Sequence, residues 1–235
     1  MSDQDNMIRL EDVPVSELYS HPLAKAFLNK VYAWMALSML LTAGVAIYSA
    51  QNEELLRWTF EHPLLLCFGS IGIVLVMIFC SGILTSGALA VLLLAYAGAT
   101  GMLFGPLLLI YTQQSLGITF ACTAGTFGAM SLYGIFTKRD LGPMGRGLSM
   151  CLLGLIIALV INIFWGNGPL DLIISCAGVI IFSLLTAYDT QKILREGLVL
   201  NGSDRSKGAV FGALTLYLDF INLFLYLLRF LGDRK

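Results

Sequence analysis

The feature that most constrains this chain is a long interval without charge, because positions 62–137 contain no Asp, Glu, Lys or Arg. A helix needs about 20 apolar residues to cross a hydrocarbon core of about 30 Å, so the interval is long enough for three crossings with turns between them. The whole chain is 57% hydrophobic and 12% charged, whereas soluble domains average roughly 45–50% and 25%. These values exclude an ordinary soluble protein and indicate an integral membrane protein.

Seven apolar segments of spanning length follow one another along the chain. Their limits are 31–50, 63–81, 88–111, 115–136, 147–165, 170–189 and 209–231. None of them shows the alternation of apolar and polar residues that the strands of a membrane β-barrel require. We therefore predict an all-α polytopic membrane protein with seven transmembrane helices and breaks at 51–62, 82–87, 113–114, 137–146, 166–169 and 191–207.

Residues 1–30 are predicted to form a cytoplasmic tail before a seven-helix domain over 31–232. The first part of this tail is polar and acidic, and it lacks the positive start and short apolar run of a signal peptide. The dipeptide His21-Pro22 marks the predicted start of the first helix, since the residue before a proline is biased away from helical geometry.

The distribution of Lys and Arg predicts the orientation, because positive charge is retained on the cytoplasmic side. With the N-terminus inside, ten cations lie on that side, whereas the outer loops hold only Arg57. Seven crossings place the C-terminus outside, where Arg229, Arg234 and Lys235 disagree with the rule. A last helix that stops short would remove the conflict, but its segment is long enough to cross and we expect a full crossing.

Small residues recur every four positions in the third and fourth segments, and such faces let membrane helices approach closely. They are Gly101 and Gly105 in the third segment, and Gly117, Ala121, Gly125 and Ala129 in the fourth. We therefore predict close helix contacts along both faces.

Cysteine, histidine and the glycine-rich loop give no sign of a cofactor or a resident metal centre. The five cysteines stand singly without CxxC spacing and are expected to behave as small hydrophobic residues. His21 and His62 have no ligand partners at zinc-site spacing. The loop at 142–147 follows no strand and lacks the Lys-Ser/Thr ending of a phosphate loop, so we interpret it as a flexible connection.

Two aspartates, Asp189 and Asp219, lie inside the last two apolar segments. A carboxylate at membrane depth costs at least about 2.5 kcal/mol on insertion scales, and such residues usually line ion, proton or substrate pathways. Asp219 lies about 15 Å along its helix from Ala209 and therefore near the middle of the membrane. Asp189 ends its segment, so it is either a functional group or a shallow carboxylate paired with Lys192 or Arg195.

Other polar side chains accompany the aspartates. Thr215 and Asn222 lie one turn before and after Asp219, which predicts a polar stripe facing the bundle interior. Tyr188 and Tyr217 are further candidates for supporting contacts. A purely structural role for Asp219, as a hydrogen-bonding link between helices, stays open.

Four stretches of the chain resemble the Bax inhibitor-1 family of membrane proteins. They are FGAMSLYG at 127–134, TKRDL at 137–141, the stretch 187–193 and the stretch 212–232. The run GALTLYLDFINLF at 212–224 is similar to the family signature. The resemblance extends across all seven segments and is strongest to the bacterial inner-membrane branch.

The resemblance implies two groups of three helices around a central last helix, and a pH-sensitive calcium leak. It implies that Asp189 and Asp219 form a proton-sensing and gating pair that binds Ca²⁺ transiently. Two carboxylates held close cannot both ionise cheaply, so they share a proton over some pH range. The expected partners are the lipid bilayer, Ca²⁺ and protons, with no nucleic acid.

One departure from the family pattern concerns the closed state. The resemblance implies a basic residue at the end of the second helix that pairs with the sixth-helix aspartate, but positions 76–85 contain no Arg or Lys. Either Arg139, Lys192 or Arg195 takes this role, or the closed state depends on the carboxylate pair alone.

Three alternative functions remain at this point. Intramembrane aspartyl proteases also place two aspartates on consecutive helices, and Tyr188-Asp189 resembles half of their motif. The residues before Asp219 are Leu-Tyr-Leu rather than Gly-x-Gly, and no Pro-Ala-Leu motif is present, so we predict that the protein is not an enzyme. A membrane scaffold or stress-regulatory protein without transport, and a secondary transporter built on an inverted repeat, are the other two.

Overall fold

The computed structural model describes residues 19–165 and 168–235, and within these residues the chain forms eight α-helices. They are α1 Pro22–Gln51, α2 Glu53–Glu61, α3 Pro63–Phe79, α4 Ser86–Ile110, α5 Gln113–Phe136, α6 Gly142–Trp165, α7 Gly168–Val199 and α8 Gly202–Leu231. The first 18 residues of the tail predicted over 1–30, and part of the predicted break at 166–169, lie outside the described residues.

Six of these helices, α1 and α4 to α8, are long and apolar enough to cross a membrane individually. The short helix α2 meets α3 at an angle of 82°, and counting this bent pair as one span gives seven. The prediction of an all-α polytopic membrane protein is therefore confirmed.

Helix α8 lies at the centre of the bundle and is the most buried of the spanning helices. Helices α1, α3 and α4 pack together, α5 and α6 both pack on α7, and α8 contacts α1, α4, α5 and α7. This is the arrangement of two three-helix groups around the last helix that the resemblance implied.

The two ends of α8 reach opposite ends of the bundle. At its start, the Arg205 guanidinium donates to the Leu23 carbonyl at 2.6 Å, beside the beginning of α1. At its end, the Lys235 amide donates to the Ile110 carbonyl at 2.9 Å, and the Thr112 amide donates to Asp233 at 3.2 Å. The C-terminal residues thus lie against the α4–α5 turn, and α8 extends through the full depth of the bundle.

Three predicted boundaries need correction. Helix α1 begins at Pro22, and His21 is its N-cap, with Nδ1 accepting a hydrogen bond from the Leu23 amide at 3.4 Å. The predicted helix start at His21-Pro22 is therefore confirmed, whereas the predicted first segment at 31–50 was too short. The flexible connection predicted at 142–147 is wrong, because these residues form the start of α6, where the Gly142 amide donates to Asp140 at 2.9 Å. The predicted break at 191–207 is mostly helical, because α7 continues to Val199 and α8 begins at Gly202.

The two predicted small-residue faces have different outcomes. A Cβ atom added at Gly101 would lie 2.7 Å from the Thr42 carbonyl, and one at Gly105 would lie 2.6 Å from Ser49 Oγ, so α4 approaches α1 closely there. At Gly117 and Gly125 a Cβ atom would meet nothing within 4 Å. The prediction is confirmed for α4 and wrong for α5, whose small residues face outward.

Large apolar side chains cover the outside of the bundle, above all on α3 and α6. All five cysteines are free, and Cys67, Cys122, Cys151 and Cys176 are exposed on this outer surface. An apolar exterior is what a lipid environment requires, since it supplies no partners for polar groups.

Candidate functional site

Asp189 on α7 and Asp219 on α8 meet in the interior of the bundle. Their carboxyl groups approach within hydrogen-bonding reach of each other, and only 8% of Asp189 and 4% of Asp219 is exposed. Two ionised carboxylates are both acceptors, so a hydrogen bond between them would need a proton on one. The structure thus places two carboxyl groups side by side on neighbouring helices.

The predicted segment limit placed Asp189 at the end of a helix, but the structure places it well inside α7. Helix α7 continues to Val199, ten residues further, and Asp189 is buried within it. Its interpretation as a shallow carboxylate paired with Lys192 or Arg195 is wrong for this structure. Lys192 contacts Glu196 at 3.9 Å, and Arg195 contacts Asp140 at 2.7 Å.

The second carboxylate oxygen of Asp219, Oδ2, is buried and accepts no hydrogen bond from the part of the chain that the structure describes. No ion pair within 4 Å among residues 19–165 and 168–235 includes either aspartate. The pair therefore has no cation in direct contact within the described residues, although Lys192 acts on Asp189 electrostatically from a greater distance.

The aromatic neighbours of Asp219 on α8 point to other helices. Phe220 packs against Phe127 of α5, with ring centroids 5.5 Å apart. The Tyr217 hydroxyl lies 2.8 Å from Thr42 Oγ1 of α1, and its ring lies edge-on to Tyr96 of α4 at 5.8 Å. Tyr217, predicted as a supporting residue, thus holds α8 against α1 and α4 and does not contact the pair through its hydroxyl.

The predicted polar stripe on α8 is only partly inside the bundle. The Thr215 hydroxyl donates to the Phe211 carbonyl at 3.1 Å, and the Asn222 amide donates to the Leu218 carbonyl at 2.8 Å. Both side chains are half-buried and bond their own helix. The placement of Thr215 and Asn222 on the same interior face as Asp219 was wrong, because the most buried face of α8 excludes both.

The residues that follow Asp189 anchor α7 to two other parts of the bundle. Thr190 Oγ1 lies 3.3 Å from Ser131 Oγ of α5. Gln191 is 2% exposed and bonds the α5–α6 connection at two points: its Oε1 accepts from the Leu141 amide at 2.8 Å, and its Nε2 donates to the Arg139 carbonyl at 3.0 Å.

Gln191 and Ser131 were missed by sequence reasoning. The signal for Gln191 was its place beside Asp189, but the predicted break at 191–207 put it in a loop. Tyr188 packs on the opposite side, where its ring leaves no space for a Cβ atom at Gly145 of α6. Along α7, Tyr188 thus contacts α6, Asp189 contacts α8 and Thr190 contacts α5. The next residue, Gln191, bonds the connection between α5 and α6.

Among the described residues, no cation forms an ion pair within 4 Å with either aspartate. Arg195 is held by Asp140, and Lys192, which contacts Glu196, reaches Asp189 only through a longer-range electrostatic interaction. The end of α3 receives a cation from α8, because Lys207 Nζ donates to the Ser81 carbonyl at 2.9 Å.

The pair offers few ligands for a metal ion. Among the described residues, no third His, Cys, Asp or Glu joins a group that could hold one. Ca²⁺ takes six to eight oxygen ligands, so two carboxyl groups can bind it only weakly, with carbonyl oxygens or water completing its shell. The geometry suits a passing cation better than a resident one.

Comparison with known proteins identifies the family. The sequence model of the family described as inhibitor of apoptosis-promoting Bax1 matches residues 24–235. The inner membrane protein YbhL of Escherichia coli (strain K12) is 38% identical over 234 residues, which cover 96% of this chain and 100% of that protein. Protein RP147 of Rickettsia prowazekii (strain Madrid E) is 41% identical over 215 residues, with coverages of 90% and 91%.

A third relative carries a membrane description in its name. The membrane protein SpyM3_0260 of Streptococcus pyogenes serotype M3 is 35% identical over 212 residues, which cover 88% of this chain and 92% of that protein. These similarities and the helical bundle agree with the resemblance noted in the sequence. The chain is a multi-pass membrane protein that belongs to the Bax1-I family of inhibitors of apoptosis-promoting Bax1.

Proposed function

We propose that the protein is a pH-sensitive cation leak channel, with Ca²⁺ as the favoured ion and α8 as the gate. We place it in the bacterial inner membrane with its N-terminus in the cytoplasm. The inner-membrane name of the Escherichia coli relative and the distribution of Lys and Arg support this location. The proposal is for passive flux, without a catalytic reaction.

The observation that carries this function is the contact of Asp189 with Asp219 between two spanning helices. Intramembrane carboxylates are expensive, and they usually face a pathway for ions or protons. Here they lie on the central helix and one of its neighbours, with Asp219 Oδ2 left as a buried acceptor within the described chain. A cation moving along α8 would meet negative charge at this level and nowhere else among the buried residues.

The proton on the pair would set the position of α8. With one proton shared, a short charge-assisted hydrogen bond holds α7 and α8 together. With both groups ionised, two unit charges about 4 Å apart repel by about 4 kcal/mol at an effective dielectric constant of 20. Since about 1.4 kcal/mol is a tenfold change in an equilibrium, this repulsion is enough to raise an open population several hundredfold.

The direction of the pH response follows from the absence of a cationic latch. If a cation held the closed state by pairing with an ionised aspartate, acid would release it. In this chain Arg195 and Lys192 contact Asp140 and Glu196 instead, and the distant charges of Lys192 and Glu196 act on Asp189 in opposite directions, so the shared proton itself closes the pair. Acid therefore favours the closed state, and the leak should increase from pH 6 to pH 8.

The direct test is Ca²⁺ entry into protein-only liposomes that contain an internal Ca²⁺ indicator. We expect the wild-type protein to show flux that rises between pH 6 and 8. The variants Asp189→Asn and Asp219→Asn should each lose most of this pH dependence, because a carboxamide cannot ionise. Asp204→Asn is the matched control, since Asp204 is exposed in the first turn of α8 and its charge is removed without affecting the pair.

Two outcomes would reject the function. An unchanged pH profile in both Asn variants would show that the pair is not the sensor. A correctly folded wild-type protein without Ca²⁺ permeability at any pH from 6 to 8 would favour the scaffold or regulatory alternative. A flux that falls with rising pH would keep the channel but show that a cationic latch forms after all.

A further inference from the structure

An apolar groove lies between α1, α4, α5 and α8, in the half of the bundle that contains the α4–α5 turn. It has a volume of about 220 Å³, and its lining is almost entirely hydrocarbon, with Ala43, Ile47, Phe104, Leu108, Phe120 and Phe224 among the lining residues. For comparison, an apolar cavity of about 150 Å³ stays dry and holds a benzene-sized molecule. The groove therefore has room for a larger piece of hydrocarbon.

The groove opens on the outer surface of the bundle. Ile47 and Phe120, on two of its sides, are 52% and 51% exposed. Thr42 contributes the only hydroxyl among the lining residues, and that hydroxyl is occupied by the Ala97 carbonyl at 3.0 Å and by Tyr217 at 2.8 Å. No polar group is left to hold water, and what faces the opening in a membrane is lipid.

The level of the groove matches one leaflet. Leu108 lies two residues before the end of α4 at Ile110, and Met39 lies twelve residues before the end of α1 at Gln51. At 1.5 Å per residue, the groove therefore runs from about 3 Å to about 18 Å below the helix ends. Half of a hydrocarbon core of about 30 Å is 15 Å, so the groove covers the depth that one acyl chain occupies.

Two cations lie at the shallow end of the groove. Lys235 Nζ donates to the carbonyl of Leu108, a lining residue, at 3.2 Å. The Arg234 guanidinium lies over the Tyr111 ring, 6.0 Å from its centroid. The neighbouring acidic residue, Asp233, lines a separate polar hollow with Gln114 and Ser115 on the α5 side. The two side chains identified at the shallow end of the groove are therefore both cationic.

We propose that an anionic phospholipid binds here, with one acyl chain in the groove and its phosphate against Lys235 and Arg234. Charge complementarity at the shallow end and hydrocarbon below it are the two features that select this occupant. The binding also accounts for the conflict between the C-terminal cations and the positive-inside rule, since a bound phosphate neutralises them. The acyl chain would rest against Phe220, the residue after Asp219.

The test measures lipid binding to the purified full-length protein by native mass spectrometry. The probes are phosphatidylglycerol and phosphatidylcholine with identical acyl chains. We expect phosphatidylglycerol to bind more tightly, and the double variant Arg234→Gln/Lys235→Gln to weaken it roughly 30-fold, as two lost surface cations imply. Arg57→Gln is the control, because Arg57 is an exposed cation paired only with Glu61 among the described residues.

The acyl-chain site is tested separately from the headgroup site. Ala43→Trp should fill the groove and weaken both lipids, whereas Ala36→Trp should not. Ala36 is exposed on the same face of α1, two turns earlier, and does not line the groove. A phosphatidylglycerol with a photoreactive group in the middle of its acyl chain should crosslink to peptides from α1, α4, α5 or α8.

The headgroup site and the acyl-chain site can each be overturned by a different result. Equal binding of the two lipids, unaffected by the double variant, would overturn the headgroup site. Unchanged phosphatidylglycerol binding in Ala43→Trp, or crosslinks confined to α3 and α6, would overturn the groove. Thermal melting of each variant shows whether it is folded. If a variant is not folded, the crosslinks formed by the wild-type protein show whether the acyl chain lies in the groove. None of these outcomes depends on ion flux.

Discussion

Replacing Gln191 should loosen the connection between α5 and α6 more than any surface change on α7. Its amide is the only side chain among the described residues that bonds both Arg139 and Leu141, at 3.0 Å and 2.8 Å. The variant Gln191→Met keeps the length of the side chain and removes both hydrogen bonds. The effect can then be attributed to the bonds rather than to a cavity.

The magnitude follows from the burial of the two partners. Leu141 is buried, so its amide is left without a partner, which costs about 1–3 kcal/mol. Arg139 is exposed, so water can replace the bond to its carbonyl and the further loss is only about 0.5 kcal/mol. The total is about 1.5–3.5 kcal/mol, which corresponds to a roughly 10- to 300-fold increase in local opening.

Hydrogen–deuterium exchange of the protein in lipid nanodiscs measures this opening directly. Peptides that contain Leu141 should exchange roughly 10- to 300-fold faster in Gln191→Met than in the wild-type protein. The matched control is Lys192→Met, because Lys192 is the next residue, is 54% exposed in its side chain and contacts Glu196 at 3.9 Å. This control should exchange like the wild-type protein.

Exchange in Gln191→Met that equals the control would refute the reasoning, because it would show that Gln191 does not hold the connection. Faster exchange across the whole chain, rather than around Leu141, would show that the bonds support global stability. In that case the magnitude would appear as a lower melting temperature. Only a local effect fits the two observed hydrogen bonds.

Two further predictions concern the packing around the aspartates. Tyr217→Phe removes the hydrogen bond to Thr42 and should lower the free energy of unfolding by about 0.5–1.5 kcal/mol, measured by thermal melting in detergent; no change would mean that Thr42 is satisfied without Tyr217. Gly145→Ala should destabilise by about 1–3 kcal/mol, because its Cβ would overlap the Tyr188 ring. Gly147→Ala, where a Cβ meets nothing within 4 Å, should be neutral or stabilising, and equal effects would contradict the packing.

The spanning helices were predictable because a segment in contact with lipid must be apolar, and this is visible in the sequence. Backbone N–H and C=O groups in hydrocarbon must be hydrogen-bonded within the segment, so a long apolar segment forms a helix. The errors fall where helices leave the hydrocarbon. Helix α7 extends to Val199 and α8 begins at Gly202, although this stretch carries charges, because a helix in water needs no apolar continuity once packing supports it.

Hydropathy identified the two aspartates as candidates, but only the family resemblance predicted that they form a pair. Hydropathy gives depth along each helix, whereas the contact depends on how α7 and α8 are rotated about their axes. The same limit explains the error for Thr215 and Asn222, since polarity on one side of a helix does not determine which side is buried. In α8 the face with Thr215 and Asn222 is half-buried, and Asp219 lies beside it.

Helices α7 and α8 are also joined by polar contacts near both ends, and these contacts restrict how α8, the proposed gate, can move. Arg205 donates to the Gly197 carbonyl at 2.7 Å, and Arg229 lies 3.9 Å from Asp171. From Asp219 these contacts are about 21 Å and about 15 Å away along the helix. The aspartates therefore meet between two fixed points.

The strengths of these end contacts decide between two kinds of motion. Sliding α8 along α7 would break both, at about 1.5–3 kcal/mol for the bond from Arg205 and at most about 1 kcal/mol for the exposed pair with Asp171. That sum of about 1.5–4 kcal/mol would consume at least a third of the roughly 4 kcal/mol that repulsion between two carboxylates supplies. A sideways displacement of the middle of α8 keeps both contacts, so in the proposed gating, ionisation of Asp189 and Asp219 favours bending or rolling of α8 over sliding.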